Sequence, residues 1–155
     1  MIPLNLYKKI IEVLPVLCVD IVISNPRGEY LLIKRAEQPL KGQWWVVGGR
    51  VHKGETMEEA AIRKVREEVS LEVESVSLIG YYEEIFKKNP FGCSSGLQTV
   101  SIVFSTSVDD TQTIKLDSQS TAWKYSKTLP ANFRMKTFDG KAYQLPFLRL
   151  SSRVQ

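Results

Sequence analysis

The sequence predicts an α/β domain, and three observations carry that expectation. A capped amphipathic helix begins at Thr56 and ends near residue 71. Aliphatic and aromatic runs of strand character lie on both sides of it. A glycine pair, Gly48 and Gly49, joins one of those runs to the helix through a polar loop. The 155 residues fit one domain, 1–155, with no linker or repeat inside it. Hydrophobic content of 43% and charged content of 25% are those of a soluble globular protein and exclude a disordered chain.

The elements are read in chain order. Residues 4–13 form a short amphipathic helix. VLCVDIVIS, residues 16–24, is a strand that ends in the turn sequence NPRG, and YLLIKRA, residues 30–36, returns as its hairpin partner. QWWVVGG, residues 43–49, is the strand before the glycine loop. Three strand candidates follow the helix: VESVSLIGYYEEIF at 73–86, TVSIVFSTSV at 99–108, and a piece of IKLDSQSTAWKYS at 114–126. Between the first two, KKNPFGCSSGLQ is a turn-rich loop. FDGKAYQLPFLRLSS, residues 138–152, predicts a terminal helix limited or kinked by Pro146. Trp44, Trp45, Tyr81 and Tyr82 are assigned to the core, with base stacking as the alternative.

The central helix poses a chemical question. Thr56 and Glu59 make a capping box, and Met57, Ala61, Val65 and Val69 form one apolar stripe with Ala60 at its edge. The helix then ends in Glu67 and Glu68, where the macrodipole favours cations. Glu68 falls inside the stripe, and a carboxylate aimed at the apolar side is costly unless it is paired or binds a metal. One reading is a solvated acidic pair closing bridges from Arg63 to Glu67 and from Lys64 to Glu68. The other is a site for a hard divalent cation, built with the backbone of the glycine pair.

Gly49, Glu55, Arg63, Val65, Glu67, Glu68 and Leu71 stand at spacings that resemble the Nudix box, G-x5-E-x7-R-E-U-x-E-E-x-G-U with U aliphatic. Lys64 replaces the glutamate of that pattern and Ser70 its glycine. The resemblance implies an α/β/α sandwich with a mixed sheet, the box as loop-helix-loop, and Mg²⁺-dependent hydrolysis of nucleoside diphosphates linked to another group. Residues 15–61 further resemble the GDP-mannose mannosyl hydrolase branch, which releases sugar and nucleoside diphosphate by attack of water on the anomeric carbon.

By that resemblance Asp20 and Arg35 contact the sugar nucleotide, Arg50 neutralises the leaving diphosphate, and Gly48, Glu68 and Gln119 bind the metal. Glu67 is an additional acid that compensates for Lys64, as ligand or catalytic group, beside Arg35 and Arg50. Each residue also has a plain structural role open to it: outward strand position for Asp20, surface cation for Arg35, loop amide for Gln119.

Where the branch has a histidine base this chain has Ser120, and where it has a tyrosine in the fourth strand Ser101 is the counterpart. A serine hydroxyl is no base near neutral pH. His52, the single histidine, substitutes only if its loop folds inward; Glu83 and Glu84 are further acids near a strand end.

A pyrophosphohydrolase attacking phosphorus, or a nucleotide-sugar binding module with weak or no turnover, are the alternatives. A net charge of +4, scattered along the chain, suits a small anionic substrate and brings no nucleic-acid motif. No apolar run spans a bilayer and no signal peptide is recognisable, so a cytoplasmic protein without membrane partners is expected. Cys18 and Cys93 are expected as free thiols, and a homodimer is possible.

Overall fold

The computed structural model describes residues 2–137 and 142–144. The chain runs α1 (Leu4–Val13), β1 (Val16–Ser24), β2 (Tyr30–Arg35), β3 (Trp44–Trp45), β4 (Val47–Arg50), α2 (Met57–Val69), β5 (Ser77–Phe86), β6 (Leu97–Ser107), β7 (Ser120–Ser126), β8 (Arg134–Lys136) and β9 (Ala142–Gln144). These strands form one mixed sheet in the order β3-β2-β1-β6-β5-β8-β9, with β4 against β1 and β7 against β2. The expected α/β class and the loop-helix-loop around α2 are both present.

Strand β1 organises the sheet. It pairs in parallel with β6 along its whole length, from Val16 opposite Thr99 to Ser24 opposite Ser107. On its other side β4 runs antiparallel, setting Asp20 opposite Gly48 and Val19 opposite Gly49. The hairpin expected between β1 and β2 is reduced to the single pair Ser24 and Tyr30. Beyond it β2 turns away to pair with β7 and β3, which leaves the middle of β1 to β4. The run QWWVVGG is accordingly two short strands, split between β3 on β2 and β4 on β1.

Alternation along β1 separates two faces. Val19, Ile21 and Ile23 point into a core with Ala60, Ala61, Val65 and Val69 of α2 and with Phe104. Val22 points the other way, into a second core with Trp45, Tyr82, Val103, Phe133 and Met135. The period of two along a strand places Asp20 on the side of Val22. Trp45 and Tyr82 are core residues as expected, whereas Trp44 and Tyr81 are half-buried. Helix α1 lays Tyr7 and Ile11 against Leu97, with Phe86 and Phe91 packed around them.

The terminal helix expected over 138–152 is corrected in part: Ala142–Gln144 is a strand, antiparallel to β8. The remainder of that expectation lies outside the described residues. A β-ladder position offers these residues the backbone partners that a helix containing Pro146 would have to forgo. Among the described residues no helix is long and apolar enough to cross a membrane.

Candidate active site

A cleft of ≈ 580 Å³ opens where β1, β2, β4, α2 and the turn before β7 meet, and Asp20, Arg35, Gly48, Arg50, Glu67 and Gln119 all line it. Residues scattered over a hundred positions of sequence thus converge on one space. Glu68 is absent from that lining, while Lys64 is part of it.

The acidic end of α2 explains why. The helix starts as read from sequence, with Thr56 accepting from the Glu59 amide and Glu59 accepting from the Thr56 amide. Its 3.6-residue period carries Lys64 and Glu68 inward, and both are buried. Lys64 Nζ lies 2.7 Å from Glu68 Oε1 and 3.4 Å from Glu67 Oε2. Burial raises the Glu68 carboxyl above the usual carboxylate range, and Lys64 opposes that shift. Glu68 Oε2 accepts a long bond from the Gly48 amide at 3.4 Å. Both bridges weighed from sequence therefore form, but the Lys64–Glu68 pair is buried and not solvated.

Arg63 knits the loop to this helix. It donates to Glu55 at 2.9 and 2.6 Å, to Glu67 at 3.0 Å, and to the Arg50 carbonyl at 3.0 Å. Its guanidinium, with the His52 amide as a second donor, holds the Glu55 carboxyl down at about 2. Positions 55, 63 and 67 of the box thus serve a mutual scaffold of charge-assisted bonds.

These residues do not fit a resident divalent ion as they stand. Such an ion needs several oxygen donors converging on one point. The two carboxylates in reach already converge on an ammonium. Gln119 is exposed and turns its amide nitrogen to Asp117 at 3.3 Å. Among the described residues no group of three or more His, Cys, Asp or Glu side chains is placed to hold a metal.

On the opposite wall Asp20 is buried in a polar nest. The Tyr82 hydroxyl donates to Asp20 Oδ2, and Tyr82 faces Ser101 across the β5/β6 ladder. Burial pushes Asp20 up to about 6, with Tyr82 and Ser101 pulling the other way. A Cβ at Gly48 would collide with Asp20 Oδ1, so glycine there is what lets β4 lie over the acid. The sequence assigned Tyr82 to the core and set Ser101 where the resembling branch has a tyrosine, leaving no phenol hydroxyl expected beside Asp20. The neighbouring strand supplies it, and the signal was present in the alternation that sets Tyr82, Glu84 and Phe86 on one face.

The remaining candidates take ordinary places on the cleft. Arg35 donates to the Pro39 carbonyl at 3.1 Å, and its charge lowers the Glu84 carboxyl that burial raises. Arg50 is exposed, its guanidinium 4.5 Å from the centre of the Tyr7 ring. His52 stays at the rim with its side chain 63% exposed, so the loop does not carry it inward. Glu83 faces solvent, and Ser120 Oγ is buried with no hydrogen-bond partner among the described residues. The arrangement offers cations at the mouth for an anionic ligand and, deeper in, a carboxyl that burial pushes up to about 6.

The NUDIX domain pattern matches residues 14–144. Low-salt glycan biosynthesis protein Agl8 of Haloferax volcanii is 29% identical over 79% of this chain and 78% of its own length. Nucleoside triphosphatase NudI of an Enterobacter species is 32% identical over 70% of this chain and 80% of its own. The ADP-ribose pyrophosphatase of Methanocaldococcus jannaschii is 39% identical over 58% of this chain, which spans 49% of that protein. Among solved structures, a MutT protein from Methanosarcina mazei superposes with a TM-score of 0.62 at 25% identity, covering 77% of this chain and 88% of the other.

Proposed function

The chain belongs to the Nudix hydrolase family, and from that premise we propose that it acts on a nucleoside diphosphate sugar, releasing sugar and nucleoside diphosphate in the manner of a GDP-mannose mannosyl hydrolase. The observation that carries this reading is the convergence of Asp20, Arg35, Gly48, Arg50, Glu67 and Gln119 on one cleft. A glycan-biosynthesis relative matched over most of both chains supports a sugar-linked substrate.

Nudix hydrolases generally use divalent metal ions such as Mg²⁺. Here Glu67, Glu68, Gly48 and Gln119 are the residues assigned to that ion, and Lys64 already holds the two carboxylates. In the proposed reaction Arg50 and Arg35 meet the diphosphate oxygens, the guanidinium fork matching two oxygens at once. The charge that develops as the sugar-oxygen bond breaks is then spread over fixed cations. Asp20, held by Tyr82, binds the sugar and is able to keep or release a proton near pH 6.

A second reading, binding of a nucleotide sugar with weak or no turnover, is favoured by one observation: the ammonium of Lys64 stands on the carboxylates that Nudix catalysis would use. One experiment separates the readings. The protein is incubated with GDP-mannose, GDP-glucose, ADP-ribose and nucleoside triphosphates, with Mg²⁺ or with chelator, in isotopically labelled water. Label in free sugar, with intact GDP, is the expected outcome. Label in phosphate, with GMP and sugar phosphate, rejects attack at carbon, and binding without product supports the second reading.

A further inference from the structure

We propose that Lys64 is the built-in cation of the acidic helix end, so that the free protein takes up no divalent ion at Glu67 and Glu68. Three observations converge on this. First, Nζ is 2.7 Å from Glu68 Oε1 and 3.4 Å from Glu67 Oε2, bridging both carboxylates from one point. Second, the pair is largely buried, the side chains of Lys64 and Glu68 being 8% and 5% exposed, so each charge depends on the other for its partner. Third, its stem packs closely on Gly49. A Cβ at Gly49 would lie 2.7 Å from Lys64 Cε and 3.2 Å from Cδ.

Charge makes the exclusion mutual. Arg63 and Lys64 both donate to Glu67 Oε2, so that carboxylate oxygen faces two cations before any metal arrives. A divalent ion on Glu68 would face the ammonium across about one hydrogen-bond length, or else displace it from the carboxylates. At this position the chain carries a base where the box has an acid.

A corollary deepens the functional reading and rests on it: diphosphate oxygens in the cleft meet Lys64 together with Arg35 and Arg50, all of which line it, and need no metal as go-between.

The test reads metal uptake directly, with no nucleotide present. Mn²⁺ is titrated into the protein and the free ion is followed by electron paramagnetic resonance. The expected result for the native chain is no uptake below millimolar concentration that Glu68→Gln abolishes. Lys64→Glu, which returns a third carboxylate, should tighten Mn²⁺ binding by at least about tenfold, since ligand charge tunes such sites over decades. Should that variant not fold, Lys64→Met serves in its place, with the same direction expected. Submillimolar uptake by the native chain that disappears in Glu68→Gln overturns the proposal, as does the lack of any gain in the folded Lys64 variant. For the corollary, GDP binding followed by tryptophan fluorescence should be alike in Mg²⁺ and in chelator. A strict Mg²⁺ requirement overturns it. Failure of GDP to bind in either buffer would count against the functional reading and leave the Mn²⁺ result standing.

Discussion

Asp20 concentrates the chemistry of the cleft's deep wall in one carboxyl. Its folded-state pKa of about 6 stands above the ordinary 3.8, with burial as the largest cause. A carboxyl raised in this way contributes its full stability below about pH 4 and loses it as pH climbs through about 6. The loss amounts to roughly 3 kcal/mol, from about two units at about 1.4 kcal/mol each. Asp20→Asn, neutral at every pH, should remove this slope. Urea denaturation of native and variant protein between pH 4 and pH 7 should show native stability falling relative to the variant, and parallel curves would show that Asp20 titrates normally. Lys64 is the other residue that decides behaviour singly, because its ammonium pairs with the buried Glu68 and also reaches the exposed Glu67.

At the scale of the element, α2 shows how far local rules reach. Its cap, its apolar stripe and its inward Glu68 were legible in the sequence, because 3.6-residue periodicity and capping chemistry are local. Ser70 adopts the left-handed conformation at φ 57° and ψ 29°, the position where the box has glycine. Its hydroxyl bonds to the Lys115 carbonyl at 3.2 Å, which offsets part of the cost. Ser70→Gly should therefore stabilise by about 0.5 kcal/mol, the net of a left-handed penalty of about 1 kcal/mol and one exposed hydrogen bond. Ser70→Ala, which keeps the Cβ and loses the bond, should destabilise, and a thermal melt of the three proteins checks the order. The strands were less legible. β1, β6 and β7 lie where periodicity placed them, but the split of QWWVVGG into β3 and β4 was not visible, because it depends on β2 bending from β1 to β7.

At the scale of the molecule, the cleft draws on β1, β2, β4, α2, β5 and the turn before β7, so ligand binding should be felt by the whole fold. A ligand that binds only the folded state adds about 2.7 kcal/mol at one hundred times its Kd. GDP should accordingly raise the melting temperature, and less so as salt screens the cations at the mouth. Arg50 stands exposed on Tyr7 and pairs with no acid among the described residues, so Arg50→Ala should weaken GDP binding by about tenfold, near the worth of one charge-assisted bond, while leaving the melting temperature of the free protein nearly unchanged. Equal affinity of native and variant protein would remove Arg50 from the diphosphate site.

The sequence by itself determined the class of the fold and the position and cap of α2, since periodicity and capping are written in neighbouring positions, while Asp20, Arg35, Arg50 and Gln119 came from the resemblance to a family pattern. Only the tertiary structure decided which of those residues face one another. The enclosure of Lys64 with Glu68, the delivery of a hydroxyl to Asp20 by Tyr82 and the rim position of His52 all follow from strand order, register and the missing Cβ of Gly49. Such contacts join residues far apart in the chain, and no local pattern encodes the distance between them.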